Sequence, residues 1–251
     1  MSGHSKWATT KHQKAAKDKV RGKLFAKLIR QIEVAAREGG GDQSANATLR
    51  TMVEKARGAS VPADTIDRAI KRGTGELEGV TYVAVSYEGY APNGVAVIAE
   101  CLTDNRNRAA SEIKNIFTRN GGSLAEPGAV AWQFQRKGVI IIDKTAGVHE
   151  DDLMMATLEA GAEDLADQGD TWQITTEPTD FNTVRAALEE AGVPMDSAEL
   201  SLVSTTTVPL SSEGDARKVL RVIEALEDHD DVQNVYSNFD IPDEIIQAVT
   251  S

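Results

Sequence analysis

The sequence predicts an α+β protein: an N-terminal three-helix domain followed by two α/β domains, the third a ferredoxin-like unit inserted in the second. Three observations carry that prediction. The spacing of apolar residues changes from about 3.6 to 2 near Tyr82, which marks a passage from helices to strands. Beyond residue 137 strand-like and helix-like stretches alternate in βαβ fashion. Formal charge is segregated: residues 1–72 carry +9, 73–137 carry −1 and 138–251 carry −20, within a chain of net charge −12. The boundaries that follow are 1–75 for a basic all-helical domain, 80–136 plus 208–251 for an α/β domain, and 137–207 for the acidic insert.

The first helix is read from Phe25, Leu28, Ile29, Ile32 and Ala36, which fall on one stripe at 100° per residue. Lys19, Lys23, Lys27 and Arg30 cluster on the opposite side, so one face docks and a cationic face is expected to stay free. Ahead of it Lys6, Lys11, Lys14 and Lys17 continue the charge through a segment poor in large apolar residues, an arm that orders on contact. Gly39-Gly40-Gly41 ends the helix, Asn46 caps a second one carrying Leu49, Met52, Val53 and Ala56, and Val61-Pro62 opens a third that is expected to stop at Gly73.

Tyr82 to Tyr87 and Gly94 to Leu102 read as a β-hairpin whose loop runs from Glu88 to Asn93-Gly94. A helix with Ala109, Ile113, Ile116 and Phe117 inward follows, and Asp104, Asn105 and Asn107 are each suited to cap it. Ala129 to Gln135 reads as a strand, and Arg136-Lys137-Gly138 as a domain crossing into the next strand, Gly138 to Asp143. Helix 149–160, one or two strands within 163–176, helix 180–191 and strand 199–206 complete the insert. A helix with Ala216, Val219, Leu220 and Ile223 inward and a strand at Val232 to Phe239 are expected to return to the earlier sheet.

No apolar run approaches the roughly 18 residues of a membrane span, and the N-terminus has no signal-type apolar core, so a cytoplasmic protein is expected. Cys101 is the only cysteine, which excludes an intrachain disulfide and a multi-cysteine zinc site. Its place in an alternating strand marks it as a buried, inert thiol. No Walker-type GxxxxGK[ST], GxGxxG, HExxH or GxSxG motif occurs, so no cofactor, metal or catalytic residue is assigned and the protein is expected not to be an enzyme. The acidic runs Glu150-Asp151-Asp152 and Asp228 with Asp230-Asp231 match no EF-hand and are explained by helix ends or solvation.

What remains is binding. A cationic front on an acidic chain can approach phosphates while the rear stays outward. Trp7 is either a ring that stacks on an unpaired base or a packing anchor for the arm. His4 and His12 lie in the same arm, where imidazole is suited to contact with phosphate or solvent rather than to metal binding. A second basic surface comprises Arg106, Arg108, Lys114, Arg119, Arg136 and Lys137, with Asn105 and Asn107 beside it. Those arginines either meet phosphate or pair with acidic neighbours around the helix cap.

Several strings carry a resemblance: Met1-Ser-Gly-His-Ser-Lys-Trp7, Lys11-His12, Arg21-Gly-Lys23 with Phe25, Tyr87-Glu-Gly-Tyr-Ala-Pro-Asn-Gly94, Leu102-Thr-Asp-Asn-Arg-Asn-Arg108, Asn120-Gly-Gly122 and Asn238-Phe-Asp240. In this order they resemble the YebC/PmpR family over nearly the whole chain. The resemblance implies a helical domain followed by two α/β domains. It also implies either a cytoplasmic DNA-binding regulator of transcription, as for bacterial members, or a ribosome-associated factor that relieves stalled synthesis, as for the mitochondrial activator of cytochrome oxidase subunit translation. The front shows no helix-turn-helix signature, and its lysines supply point charges rather than bidentate base contacts. The expectation is a non-enzymatic nucleic-acid-binding regulator, with DNA ahead of ribosomal RNA. The residues expected at the interface are Lys6, Trp7, Lys11, His12, Lys14, Lys19, Arg21, Lys23, Lys27, Arg30, Arg106 and Arg108; nothing in the sequence sets an oligomeric state.

Overall fold

A computed structural model describes residues 17–250. They form two compact units: one holds the chain up to Ala131 and again from Val208, and the other is Trp132–Thr207.

The first unit begins with three helices, α1 (Lys17–Gly39), α2 (Ala47–Gly58) and α3 (Ala63–Thr74). Their apolar stripes meet in one core containing Leu28, Ile32, Leu49, Val53, Ile66 and Ala69. Asn46 does more than cap. Its Oδ1 accepts from the Leu49 N–H at 3.0 Å while its Nδ2 donates to the Ala35 and Gly40 carbonyls, tying the start of α2 to the end of α1. Gly73 does not end α3, as its type had implied. The helix runs on to Thr74 and closes at Gly75 in the left-handed region, φ +84°. Gly73 is needed because a Cβ there would lie 2.5 Å from the Glu33 carbonyl and 2.7 Å from Ala36 Cβ, so it sets the close approach of α3 to α1.

The unit continues with an antiparallel hairpin, β1 (Val83–Ala91) and β2 (Val95–Thr103), in register from Val83 opposite Thr103 to Ala91 opposite Val95. The turn is Pro92-Asn93-Gly94, with Asn93 at φ +64° and Gly94 at φ +75°. The strand therefore passes through Glu88-Gly89, where a loop had been expected. Gly89 leaves room for the Phe117 ring, whose Cζ would be 2.7 Å from an added Cβ. Next come α4 (Arg106–Arg119) and the short β3 (Ser123–Leu124). Of the three possible caps, Asn105 is the one used, its Oδ1 accepting from the Arg108 N–H at 3.0 Å. After the second unit the chain adds β8 (Val208–Pro209), α7 (Glu213–Glu227), β9 (Val232–Ser237), β10 (Phe239–Asp240) and α8 (Asp243–Thr250). Strand order is β3-β1-β2-β9, so β9 completes the sheet that the hairpin began. Its core includes Val97, Ala99, Ile113, Phe117, Val219 and Ile223.

The second unit contains β4 (Phe134–Asp143), α5 (Glu150–Thr157), β5 (Ala162–Asp167), β6 (Thr171–Thr176), α6 (Phe181–Glu190) and β7 (Ser197–Ser204). The sheet order β5-β6-β4-β7, antiparallel throughout, is the ferredoxin-like arrangement. Two expectations fail at its start. Ala131–Gln133 is a 3₁₀ turn rather than strand, and β4 runs without a break through Arg136-Lys137-Gly138. Gly138 reads as punctuation but is a packing site: a Cβ there would strike Thr176 and Phe181, so the glycine lets α6 settle on the sheet. The preceding loop is held by buried Glu88, whose carboxylate accepts from the N–H groups of Gly128, Val130 and Ala131 at 2.6 to 2.8 Å. Burial pushes the Glu88 pKa up, but those three donors outweigh it and leave the group below the ordinary glutamate value.

Candidate nucleic-acid interface

The polar face of α1 is not free. α7 ends at Glu227, and its last carbonyls form the negative end of a helix dipole. Lys27 Nζ donates to the Glu227 carbonyl at 3.1 Å. Lys23 Nζ donates to the Asp228 carbonyl at 3.1 Å and to its carboxylate at 2.8 Å. One turn further along α1, Arg30 reaches the Asp230 carbonyl at 2.5 Å and the Asp231 carboxylate at 2.9 Å, with its guanidinium 5.3 Å from the centre of the Tyr82 ring. The three cations expected to await phosphate thus hold the acidic turn between α7 and β9.

Asp231 is the centre of this arrangement, 2% exposed. One carboxylate oxygen takes Arg30; the other takes Arg108 at 2.7 Å and the Thr103 hydroxyl at 2.9 Å. Burial alone would raise its pKa, yet the bonds from Arg108 and Thr103 and the charges of Arg108 and Arg30 hold it below the ordinary aspartate value. Arg108 is raised in turn, first by its bond to Asp231, and it also pairs with Asp104 at 2.9 Å. Of the two readings left open for Arg108, pairing around the cap is what the structure contains.

Glu112, His229 and Asp231 bring potential ligand atoms within 4.8 Å of one another. The chemistry of the donors does not fit a metal. His229 Nδ1 accepts from the Asp231 N–H at 3.1 Å, its Nε2 faces Glu112 at 2.8 Å, and the two oxygens of the Asp231 carboxylate are already taken by two guanidiniums. Cys101 is 2% exposed, and burial, with Asp231 adding to it, pushes its thiol up to about 12, so it stays protonated at neutral pH.

The other expected interface residues divide as follows. Lys6, Trp7, Lys11, His12 and Lys14 lie outside the described residues, and Lys19 and Arg21 fall in the first turns of α1. Arg106 is exposed at the start of α4, its carbonyl accepting from the Tyr87 hydroxyl at 3.2 Å. Lys137 is held by Glu163 and Glu177, whose bonds raise its pKa. Arg106, Lys114 and Arg119, all exposed, make no ion pair among the described residues. Sequence reasoning missed Thr103 and Asp231 because Asp230-Asp231 reads as a solvated acidic run. The available signal was the position of that run directly after a helix end, opposite a chain terminus carrying +9.

A helical bundle followed by two antiparallel α/β sheets, one of them ferredoxin-like, with the bundle's cations locked onto the acidic turn at 227–231, defines the class of protein. No helix among the described residues is long and apolar enough to cross a membrane. The family model for the TACO1/YebC N-terminal domain matches residues 5–76 and that for the TACO1/YebC second and third domain matches 82–239, so the chain belongs to the TACO1/YebC family. It is 58% identical over 247 residues to a probable transcriptional regulatory protein of Beutenbergia cavernae, covering 98% of each chain. To a protein of the same description in Mycolicibacterium smegmatis it is 58% identical over 246 residues, 98% of this chain and 97% of the other. Among solved structures it is similar to the crystal structure of a conserved hypothetical protein, Aq1575, from Aquifex aeolicus, with TM-score 0.83, 46% identity and coverage of 92% and 95%.

Proposed function

We propose that the protein is a non-enzymatic, cytoplasmic regulator of transcription that binds DNA. The observation that carries the reading is the separation of charge along the sequence, +9 over residues 1–72 in a chain of −12, together with Arg106, Lys114 and Arg119, which are exposed and make no ion pair among the described residues. The names of the bacterial relatives support the regulatory role. In this reading affinity is dominated by backbone contacts and therefore by salt. If about five phosphates are neutralised, log K falls against log salt with a slope of roughly −4.5. The test is crosslinking in cells followed by sequencing of the bound nucleic acid. Enrichment of genomic DNA fragments is expected. Recovery dominated by ribosomal RNA, with co-sedimentation of the protein and ribosomes at low salt, replaces this reading with a ribosome-associated translation factor.

A further inference from the structure

The basic residues of α1 and α4 differ in what they touch. Lys23, Lys27, Arg30 and Arg108 are spent on the protein's own carboxylates and carbonyls. Lys114 and Arg119 on α4 are exposed and make no ion pair among the described residues.

We infer that the outer face of α4, rather than the Lys23–Lys27–Arg30 face of α1, is the part of the described structure that meets duplex DNA, lying in the major groove with Lys114 and Arg119 on the phosphates at either side. The inference rests on the DNA-binding reading above. The inner side of α4 is fixed by Ala109, Ile113 and Phe117, which are buried against the sheet. Directly opposite, Asn107, Ser111, Asn115 and Thr118 are exposed. At 100° per residue these four fall within a band of about 80°, a continuous stripe of uncharged hydrogen-bonding side chains. Lys114 lies about 55° to one side of the stripe's centre and Arg119 about 85° to the other. This order suits a helix in a groove, where phosphate contacts position the protein and hydrogen bonds to base edges read the sequence.

Charge on the helix agrees. Its one acidic residue, Glu112, lies beyond the Arg119 flank, where Arg108 and His229 engage it. The Asn105-capped N-terminus adds the positive end of the dipole and the exposed Arg106. α4 has 14 residues, so it extends about 21 Å and spans roughly six nucleotide steps of one strand. B-form DNA has a major groove about 12 Å wide, which admits a helix, whereas the deep, narrow groove of duplex RNA does not. Asparagine, like glutamine, pairs with adenine through N6 and N7, so Asn107 and Asn115 are assigned to base edges.

The test measures binding of the full chain to a mixed-sequence DNA duplex and to a structured ribosomal RNA fragment by fluorescence anisotropy across a salt series. Lys114→Ala with Arg119→Ala is expected to weaken DNA binding at least tenfold in low salt and to make the salt slope shallower by about 1.8, two phosphates' worth. Arg57→Ala with Lys71→Ala, exposed cations on the helical bundle, is expected to leave both unchanged. Asn107→Ala with Asn115→Ala is expected to retain the salt slope and to lose preference among duplexes of differing sequence. If the wild-type chain binds DNA and the Lys114/Arg119 variant binds equally well, α4 is not the surface while the DNA reading stands. A wild-type chain that binds no duplex, or prefers the RNA fragment at every salt concentration, overturns both.

Discussion

Two helices of the first unit carry rows of cations, and they differ in what those cations touch. On α1 the row is satisfied from within: Lys23, Lys27 and Arg30 reach a turn 200 or more residues away in sequence. On α4 only Arg108 is satisfied in that way, while Arg106, Lys114 and Arg119 face outward. A basic face on a helical wheel therefore has two physical outcomes. It becomes an internal adhesive where the fold brings a helix C-terminus and an acidic turn against it, and it becomes a surface for anions where no such partner arrives. The distinction makes opposite predictions for stability and for binding.

The largest expected effect is at Asp231, which joins the two helices by taking Arg30 from α1 and Arg108 from α4. Asp231→Ala leaves two guanidiniums and the Thr103 hydroxyl without their shared acceptor and is expected to destabilise the first unit by about 3 kcal/mol, read from urea unfolding. The pH dependence has a definite sign. Because the folded-state pKa of Asp231 is depressed, its contribution is complete above the ordinary aspartate value near 3.9 and is lost as pH falls through the lower folded value. In wild type minus Asp231→Asn, the stability difference should be constant from about pH 5 to 7 and shrink below about pH 4. A difference that grows on acidification refutes the bridging role.

Glu88 comes next. It too is a charge held inside, but by backbone donors instead of side chains, and it anchors the loop that leads out of the first unit. Glu88→Gln removes the charge and replaces one acceptor oxygen with an amide that donates, so at least one of the three N–H groups, of which that of Val130 is buried, loses its partner. A loss of about 2 kcal/mol is expected. Hydrogen exchange should speed up at Gly128, Val130 and Ala131 while the β1–β2 pairing remains protected. Unchanged exchange at those three amides would show that the carboxylate does not hold the loop.

How far the sequence reveals all this depends on the range of the contacts. Asn46 and Asn105 are legible as caps because a cap and its recipient N–H are three residues apart. The three-helix bundle and the ferredoxin-like order follow from apolar periodicity, which is also local. The glycines mislead. Gly73, Gly89 and Gly138 sit where a turn residue is expected, yet each is required by a neighbour from elsewhere: the α1 backbone, the Phe117 ring and the Phe181 ring. The same limit hides the fate of the α1 cations, since nothing near Lys23 in sequence announces Asp228. For Arg108 both outcomes could be written down beforehand, because Asp104 and Glu112 lie within four residues, but the deciding partner is Asp231.

A smaller effect is expected on the exposed part of the α1 contact. The Lys23–Asp228 pair has side chains 31% and 73% exposed, so water and salt screen it, and Lys27 bonds to a carbonyl at a helix end. Lys23→Ala with Lys27→Ala should cost about 1 kcal/mol at low ionic strength and less at 0.5 M salt. Affinity for duplex DNA should change less than twofold, because these charges already have partners. If the pair of substitutions instead abolishes DNA binding without affecting stability, the internal contact opens in the complex and α1 is the phosphate-facing helix after all.

The smallest effect on stability belongs to α4, and its smallness is informative. Arg106→Ala, Lys114→Ala and Arg119→Ala together remove three exposed cations from a helix whose inner side is fixed by Ala109, Ile113 and Phe117. Substitutions of this kind are expected to leave the thermal midpoint of the first unit within about 2 °C of wild type. Alanine improves helix propensity slightly, and removing positive charge from the first turn relieves its unfavourable position at the positive end of the dipole, so the sign at Arg106 is toward stabilisation. Only Arg119, in the last turn, complements the dipole, and its loss opposes that gain. Three arginine or lysine side chains whose net contribution to folding is small and that extend from one helix are then available for a ligand. A midpoint lowered by more than about 5 °C would show that they are held within the fold as the α1 cations are, and the contrast between the two helices would disappear.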